Sequence, residues 1–205
     1  MIEVFDMPQG SEEWFAIRRG IVTASEFGTL LMSGRGGGDS KTRRTYMLKL
    51  MGERLTGDPM YHYSNDHMER GHDQEPDARN LYAFQTDLEP VPVGFIKNGP
   101  VGCSPDSLVG DKGMLEIKTK LAHLHLEVLL GETVPNEHMA QIQGQLWVAE
   151  REWCDFVSYC PKLPIFVKRV ERDEAFIDRI KKAVDLFERE LVTLMNVVQP
   201  QEAAA

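Results

Sequence analysis

The chain has 205 residues, 42% hydrophobic and 27% charged, ordinary values for a soluble protein long enough to bury one large core. No apolar run is long enough to cross a bilayer and the N-terminus lacks a signal-peptide pattern, which sets the expectation of a cytoplasmic protein. Three cysteines without C-x-x-C spacing argue against a disulfide framework or a structural zinc site, and a net charge of −9 argues against a uniformly basic nucleic-acid-binding surface.

In chain order, Ser11-Glu12-Glu13 places a capping hydroxyl and two acids at a helix start, and the helix is expected to reach Arg19 and stop at Gly20. Thr23-Ala24-Ser25-Glu26 has capping-box spacing, which predicts a second helix over Thr23 to Met32. The glycine-rich stretch from Ser33 to Asp39 reads as a loop and lacks the Gly-Lys-Ser/Thr of a phosphate-binding loop. A helix is predicted from Ser40 to Leu55 and another from about Asp66 to Gln85, with Gly71 and Pro76 predicting an interruption or kink. Strands are predicted at Val91–Ile96, Val101–Val109 and Met114–Thr119, then helices at Leu121–Leu130 and Pro135–Glu150. Two more strands, Glu152–Tyr159 and Ile165–Val170, precede a long helix from Asp173 to Val198 with an apolar stripe of Phe176, Ile180, Val184, Phe187, Leu191, Leu194 and Val198. The order implies one α/β domain over 1–205 with a mixed central sheet, its tail 199–205 frayed.

Chemistry concentrates in Ser104-Pro105-Asp106 and Glu116-Ile117-Lys118, joined through the turn Gly110-Asp111-Lys112-Gly113. Alternation along a strand puts Glu116 and Lys118 on one face and Leu115 and Ile117 on the other, and hairpin pairing can bring Asp106 beside Glu116. Two carboxylates and the Ile117 carbonyl suit a hard cation such as Mg²⁺, which keeps several waters, and Lys118 suits the orientation of an attacking water. This is the PD-(D/E)xK signature of metal-dependent nucleases. Read alone it is short, and a polar hairpin with an exposed Glu and Lys fits it equally well. The six histidines, His62, His67, His72, His123, His125 and His138, have no thiolate at metal spacing and are not expected to be structural ligands.

Four blocks in order extend the signature. Trp14-Phe15-Ala16-Ile17-Arg18-Arg19-Gly20-Ile21-Val22-Thr23-Ala24-Ser25-Glu26 resembles the opening motif of the λ-exonuclease and YqaJ-type viral recombinase family. Gly71 to Arg79 resembles that family's G-x-x-x-E-x-x-A-R helix, Cys103 to Asp106 with Leu115 to Lys118 its catalytic strands, and Met139-Ala140-Gln141-Ile142-Gln143 with Trp147-Val148 its later helix. The resemblance implies a restriction-endonuclease-like core and a 5′-to-3′ exonuclease that processively degrades one strand of duplex DNA to mononucleotides, leaving a 3′ overhang for phage-type recombination. It implies Mg²⁺, as two ions with Mn²⁺ as a substitute, at Asp106, Glu116 and Ile117, with Lys118 and Glu75 completing the catalytic set. It assigns Arg18, Ser25 and Ser104 to a 5′-phosphate, and Arg35, Gln141 and Met68 to DNA contact, with Gln143 a weaker candidate. It also implies a homotrimeric ring and a single-strand-annealing protein as partner in a bacterial host cytoplasm. An endonuclease on the same core and a catalytically silent DNA-binding scaffold are the alternatives. Clustering of Arg18, Arg19, Arg35, Lys41, Arg43, Arg44 and Lys49 makes a locally positive groove compatible with the acidic whole.

Overall fold

In a computed structural model of the chain, the described residues are 1–34, 40–59 and 66–198, without the side chains of 66–70 and 72. Arg35 and His62 therefore lie outside the described residues, as do the side chains of His67, Met68 and His72.

The strands form two mixed sheets rather than one. The smaller has the order β1 (Ile2–Phe5), β4 (Phe95–Asn98), β5 (Val101–Cys103), β2 (Val22–Thr23). The larger has the order β3 (Pro90–Val91), β6 (Ser107–Val109), β7 (Gly113–Thr119), β8 (Trp153–Tyr159), β9 (Phe166–Glu171). The expected strand Val91–Ile96 is therefore split between the sheets, and so is Val101–Val109, which passes from one sheet to the other through Ser104-Pro105-Asp106. Proline lacks the N–H that a continuous strand needs, and Pro105 lies at the crossing, buried. The motif aspartate thus stands at the seam between the two sheets.

Helices cover the larger sheet on both faces, which explains why β7 and β8 are buried along most of their length. On one face α4 (Asp66–Thr86) sets Ala78 and Tyr82 against Leu115, Ile117 and Val157. On the other, Met114 and Phe156 join a larger core with α2 (Phe27–Leu31), α3 (Lys41–Thr56), α6 (Asn136–Val148) and α7 (Glu174–Val198). α6 packs closely on α2, since a Cβ on Gly144 would stand 2.2 Å from Phe27 Cδ2.

Local chemistry accounts for the boundaries. Ser11 accepts from the Trp14 amide at 3.2 Å and starts α1 (Glu12–Arg18). The capping-box helix from Thr23 does not form as expected. Val22 and Thr23 pair in parallel with Val101 and Gly102, a 3₁₀ turn covers Ala24–Glu26, and α2 is only Phe27–Leu31. Two β-branched residues at an open sheet edge favour the strand, and Thr23 makes no capping hydrogen bond. Pro76 sits within an otherwise continuous α4, flanked by the ion pair of Glu75 with Arg79 one turn on. α5 (Ala122–Gly131) leads to α6, and α7 follows β9. The α7 stripe buries Ile177 as well as Ile180, Val184, Phe187 and Leu191, whereas Val198 is exposed.

Candidate active site

Three side chains of the motif meet at the seam. The Asp106 amide donates to the Leu115 carbonyl at 3.1 Å, and the Ile117 amide donates to Asp106 Oδ2. The aspartate side chain thereby continues the β6–β7 ladder one rung past the end of β6. The backbone of Leu115 and Ile117 therefore faces Asp106, so the Ile117 carbonyl opens onto the same edge. Glu116 points to the opposite face of β7 from Leu115 and is 1% exposed. It accepts from Lys118 Nζ and Gln141 Nε2, both at 2.6 Å on Oε1, and from Gln145 Nε2 at 2.7 Å on Oε2. Gln141 and Gln145 are one helical turn apart on α6, which puts both on the face over β7.

From the other side α4 supplies Glu75 and Arg79. Arg79 pairs with Glu75, donates to Ser107 Oγ at 2.9 Å and reaches the Asp106 carbonyl at 3.3 Å. Burial, then Glu116 and Glu75, push the Asp106 carboxyl well above the usual carboxylate range, against the opposing effects of Lys118 and the Ile117 amide. Burial also works against the Lys118 ammonium, but Glu116 and Asp106 outweigh it and hold the amine above its ordinary value. Lys118 is therefore charged at neutral pH.

Among the described residues no three His, Cys, Asp or Glu side chains form a ready metal cage. A buried and a half-buried carboxylate beside a strand carbonyl are nevertheless a hard oxygen set of the size Mg²⁺ takes from proteins, the remainder being water and substrate oxygens. The repulsion that raises Asp106 is also what a divalent cation would relieve. The residues present fit such an ion.

Beside this array lies a half-buried arginine. Arg18 NH1 donates to Ser104 Oγ at 2.9 Å, and its guanidinium lies 4.0 Å over the Trp14 ring. Trp14 Nε1 donates to the same hydroxyl at 3.0 Å and to the Gly94 carbonyl at 3.0 Å. Among the described residues no carboxylate lies within ion-pair distance of Arg18. Burial lowers its pKa to about 10, which leaves it protonated at neutral pH. Ser25 sits exposed on the 3₁₀ turn, and its hydroxyl lies 3.2 Å from Thr23 Oγ1 rather than joining Ser104.

The structure thus brings together Asp106, Glu116, Lys118, Glu75 and Gln141, and sets Arg18 against Ser104. Gln143 is turned away: it is buried, donates to the Glu171 carbonyl at 2.8 Å and accepts from the Asp173 amide at 2.9 Å, tying β9 to α7. Gln145 and Arg79 were not singled out from sequence as site residues. The signal for Gln145 was its four-residue spacing from Gln141, and for Arg79 its spacing from Glu75. Of the histidines, His125 is buried between Ser158 Oγ and the Pro164 carbonyl, each at 2.8 Å.

Gln145→Leu removes one of the two glutamine donors from a buried carboxylate, and an unsatisfied buried acceptor costs about 1–3 kcal/mol. Urea denaturation should show a loss of that size. An unchanged midpoint would mean that Glu116 does not depend on α6.

These observations place the chain among proteins with a carboxylate–lysine array at the seam of a mixed α/β fold. The YqaJ-like viral recombinase domain matches residues 13–152, a stretch holding Arg18, Glu75, Asp106, Glu116, Lys118 and both α6 glutamines that contact Glu116. Among solved structures, the chain is similar to an alkaline exonuclease (LHK-Exo) from Laribacter hongkongensis, at 37% identity, covering 92% of this chain and 96% of that chain with a TM-score of 0.84. The same enzyme in complex with dAMP matches equally, at 37% identity and a TM-score of 0.84. A phage-related exonuclease from Haemophilus somnus 129PT shares 15% identity and the fold, covering 87% of this chain and 96% of that chain, with a TM-score of 0.67. None of the curated proteins compared with the chain matches it. The chain belongs to the YqaJ-like viral recombinase family, and its fold is that of these exonuclease structures.

Proposed function

We propose that the protein is a Mg²⁺-dependent exonuclease that degrades one strand of duplex DNA from its 5′ end, releasing mononucleotides and leaving a 3′ single-stranded overhang. The observation that carries this reading is the spacing on one short loop. Ser104, which meets the half-buried Arg18, with no carboxylate at ion-pair distance among the described residues, is two residues from Asp106, which meets the Glu116–Lys118 array. A terminal phosphate held at the first would present the next phosphodiester to the second. The similarity to an alkaline exonuclease supports the reaction class, and the dAMP complex of that enzyme supports a mononucleotide product.

Asp106, Glu116 and the Ile117 carbonyl would hold the metal, which would neutralise charge on the scissile phosphate and ready a water for attack. Lys118, kept protonated by Glu116, orients that water and stabilises its anionic form; an amine held above its ordinary pKa serves by its charge rather than as a base. Gln141 and Gln145 fix the Glu116 carboxylate, and Arg79 fixes both Glu75 and the Asp106 backbone. Arg18 forks onto the oxygens of the 5′-phosphate, with Ser104 and Ser25 as further donors. The reading extends to one nuclease domain over 1–205, a homotrimeric ring, a single-strand-annealing partner and a host cytoplasm. No helix among the described residues is long and apolar enough to cross a membrane.

The test is digestion of linear duplexes bearing 5′-phosphate or 5′-hydroxyl ends, beside a closed circle, with Mg²⁺ and then with chelator. Only the linear forms should be degraded, only with Mg²⁺ and faster from phosphate, and Lys118→Ala should be inactive. Cutting of the closed circle, or indifference to the 5′ group, would overturn the exonuclease reading.

A further inference from the structure

Beyond Thr119, where β7 ends, the chain keeps its pairing for one more residue, because the Lys120 amide donates to the Tyr159 carbonyl at 2.8 Å. Alternation then puts Glu116, Lys118 and Lys120 in a row on one face. A second row on α6, His138, Gln141 and Gln145, lies over them at helical spacings of three and four. Gln141 and Gln145 serve Glu116, and His138 serves Lys120, with 3.3 Å between Lys120 Nζ and His138 Nε2.

That partner is unusual in its chemistry. Burial, then Lys118 and Lys120, lower the pKa of His138 to about 3, so the imidazole is neutral, and because an ammonium only donates, Nε2 is the acceptor in this pair. Its ring is fixed by stacking on Phe156, with centroids 5.3 Å apart. A neutral acceptor orients an ammonium without cancelling its charge, whereas a carboxylate would do both. Glu137 Oε1 forms an ion pair with Lys120 Nζ at 3.7 Å and lies 3.4 Å from His138 Nε2, but the contact to Lys120 is longer than a hydrogen bond and the Glu137 side chain is 69% exposed, so solvent screens it. Lys120 has three donors and its side chain is 13% exposed, so it is held in place with charge and donors to spare.

The position has a direction. Along β7 and just past its end the groups run Glu116, Lys118, Lys120, and Arg18 reaches the site through Ser104, two residues before Asp106. From Lys118, which the nuclease reading sets beside the attacking water, two strand residues advance about 7 Å to Lys120, a step comparable to that between neighbouring phosphates on a DNA strand. We propose that Lys120, oriented by His138, is a phosphate-binding residue that grips the strand one phosphate past the scissile one. The inference rests on the nuclease reading above. It gives the site three successive grips on the strand: the terminal phosphate at Arg18, the scissile phosphate at the carboxylates, and the following one at Lys120. His138 is a positioning residue.

The test measures binding of a 5′-phosphorylated duplex with Ca²⁺ in place of Mg²⁺, by fluorescence anisotropy over a salt series. Lys120→Gln should weaken binding about tenfold and reduce the slope of log affinity against log salt by about one, and Lys120→Arg should restore both. His138→Phe should weaken binding less than Lys120→Gln does. A neutral methylphosphonate at the phosphate after the scissile one should cost the original protein a similar factor and the Lys120→Gln variant almost nothing. Equal losses from that modification in both proteins, or an unchanged salt slope in Lys120→Gln, overturns the assignment while leaving the nuclease reading intact. Failure of the original protein to digest any linear duplex with Mg²⁺ would remove both.

Discussion

Asp106→Asn is expected to abolish digestion and to give a protein that melts at a higher temperature than the original when metal is chelated. The loss of activity should be roughly a thousandfold or more, because a ligand carboxylate is removed from the proposed metal set. The gain in stability has a separate cause. Burial and the two neighbouring acids, Glu116 and Glu75, make the ionised aspartate unfavourable in the folded protein. Asparagine keeps an oxygen for the Ile117 amide and removes the charge. A carboxyl whose folded pKa lies above its unfolded value contributes stability that is full below the unfolded value and is lost as pH rises through the folded one. The variant's advantage should therefore be absent in acid and grow toward neutral pH. For a chain of this size each kcal/mol relieved corresponds to about 2–4 °C. Mg²⁺ should narrow or reverse the gap, since a ligand that binds only the folded state stabilises by mass action. Thermal melts of both proteins with chelator and with Mg²⁺, at acid and neutral pH, check every part. A variant that melts lower in chelator at neutral pH would mean that the carboxylates do not repel, and retained digestion would remove Asp106 from the chemistry.

The elements that sequence made legible are those whose signals are local. The capped start of α1, the β7 alternation and the stripe of α7 are set by side chains within a few residues of one another. What sequence did not show depends on partners far along the chain. The split of the expected strand at Ser104-Pro105-Asp106 follows from which edges β5 and β6 find, β5 pairing with β2 and β4, and β6 with β3 and β7. The same competition turned Thr23 from a helix start into the end of the strand Val22–Thr23. At the site, the carboxylates and Lys118 were readable because residue type and spacing name the chemistry. The groups that hold them were harder to read. Gln143 and Gln145 look alike in sequence, and only the rotation of α6 over β7 decides that Gln145 faces Glu116 while Gln143 binds the start of α7. Arg79 reads as a helix-surface partner for Glu75, and its reach to Ser107 and the Asp106 carbonyl exists only because α4 packs on β7. Lys120 and His138 had no local signal as a pair, since they lie 18 residues apart.

Arg18→Met should erase the distinction between phosphorylated and unphosphorylated 5′ ends. Loss of a charge-assisted hydrogen bond is worth about 1.5–3 kcal/mol, so digestion of the phosphorylated duplex should fall about 10- to 100-fold. Digestion from a 5′-hydroxyl end, which offers no terminal phosphate to grip, should hardly change. The fold should survive, because methionine keeps an apolar, polarisable chain over the Trp14 ring that the guanidinium now covers at 4.0 Å. It also removes a half-buried cation that has no carboxylate at ion-pair distance among the described residues. Melting should accordingly be unchanged or higher without DNA. Arg18→Lys should recover only part of the preference, since a point charge on a flexible stem cannot fork onto two phosphate oxygens. Rates on the two kinds of end, measured beside melting curves, separate a phosphate grip from a packing role. If Arg18 serves packing alone, Arg18→Met lowers both rates together or neither, and the ratio between the ends stays as it was.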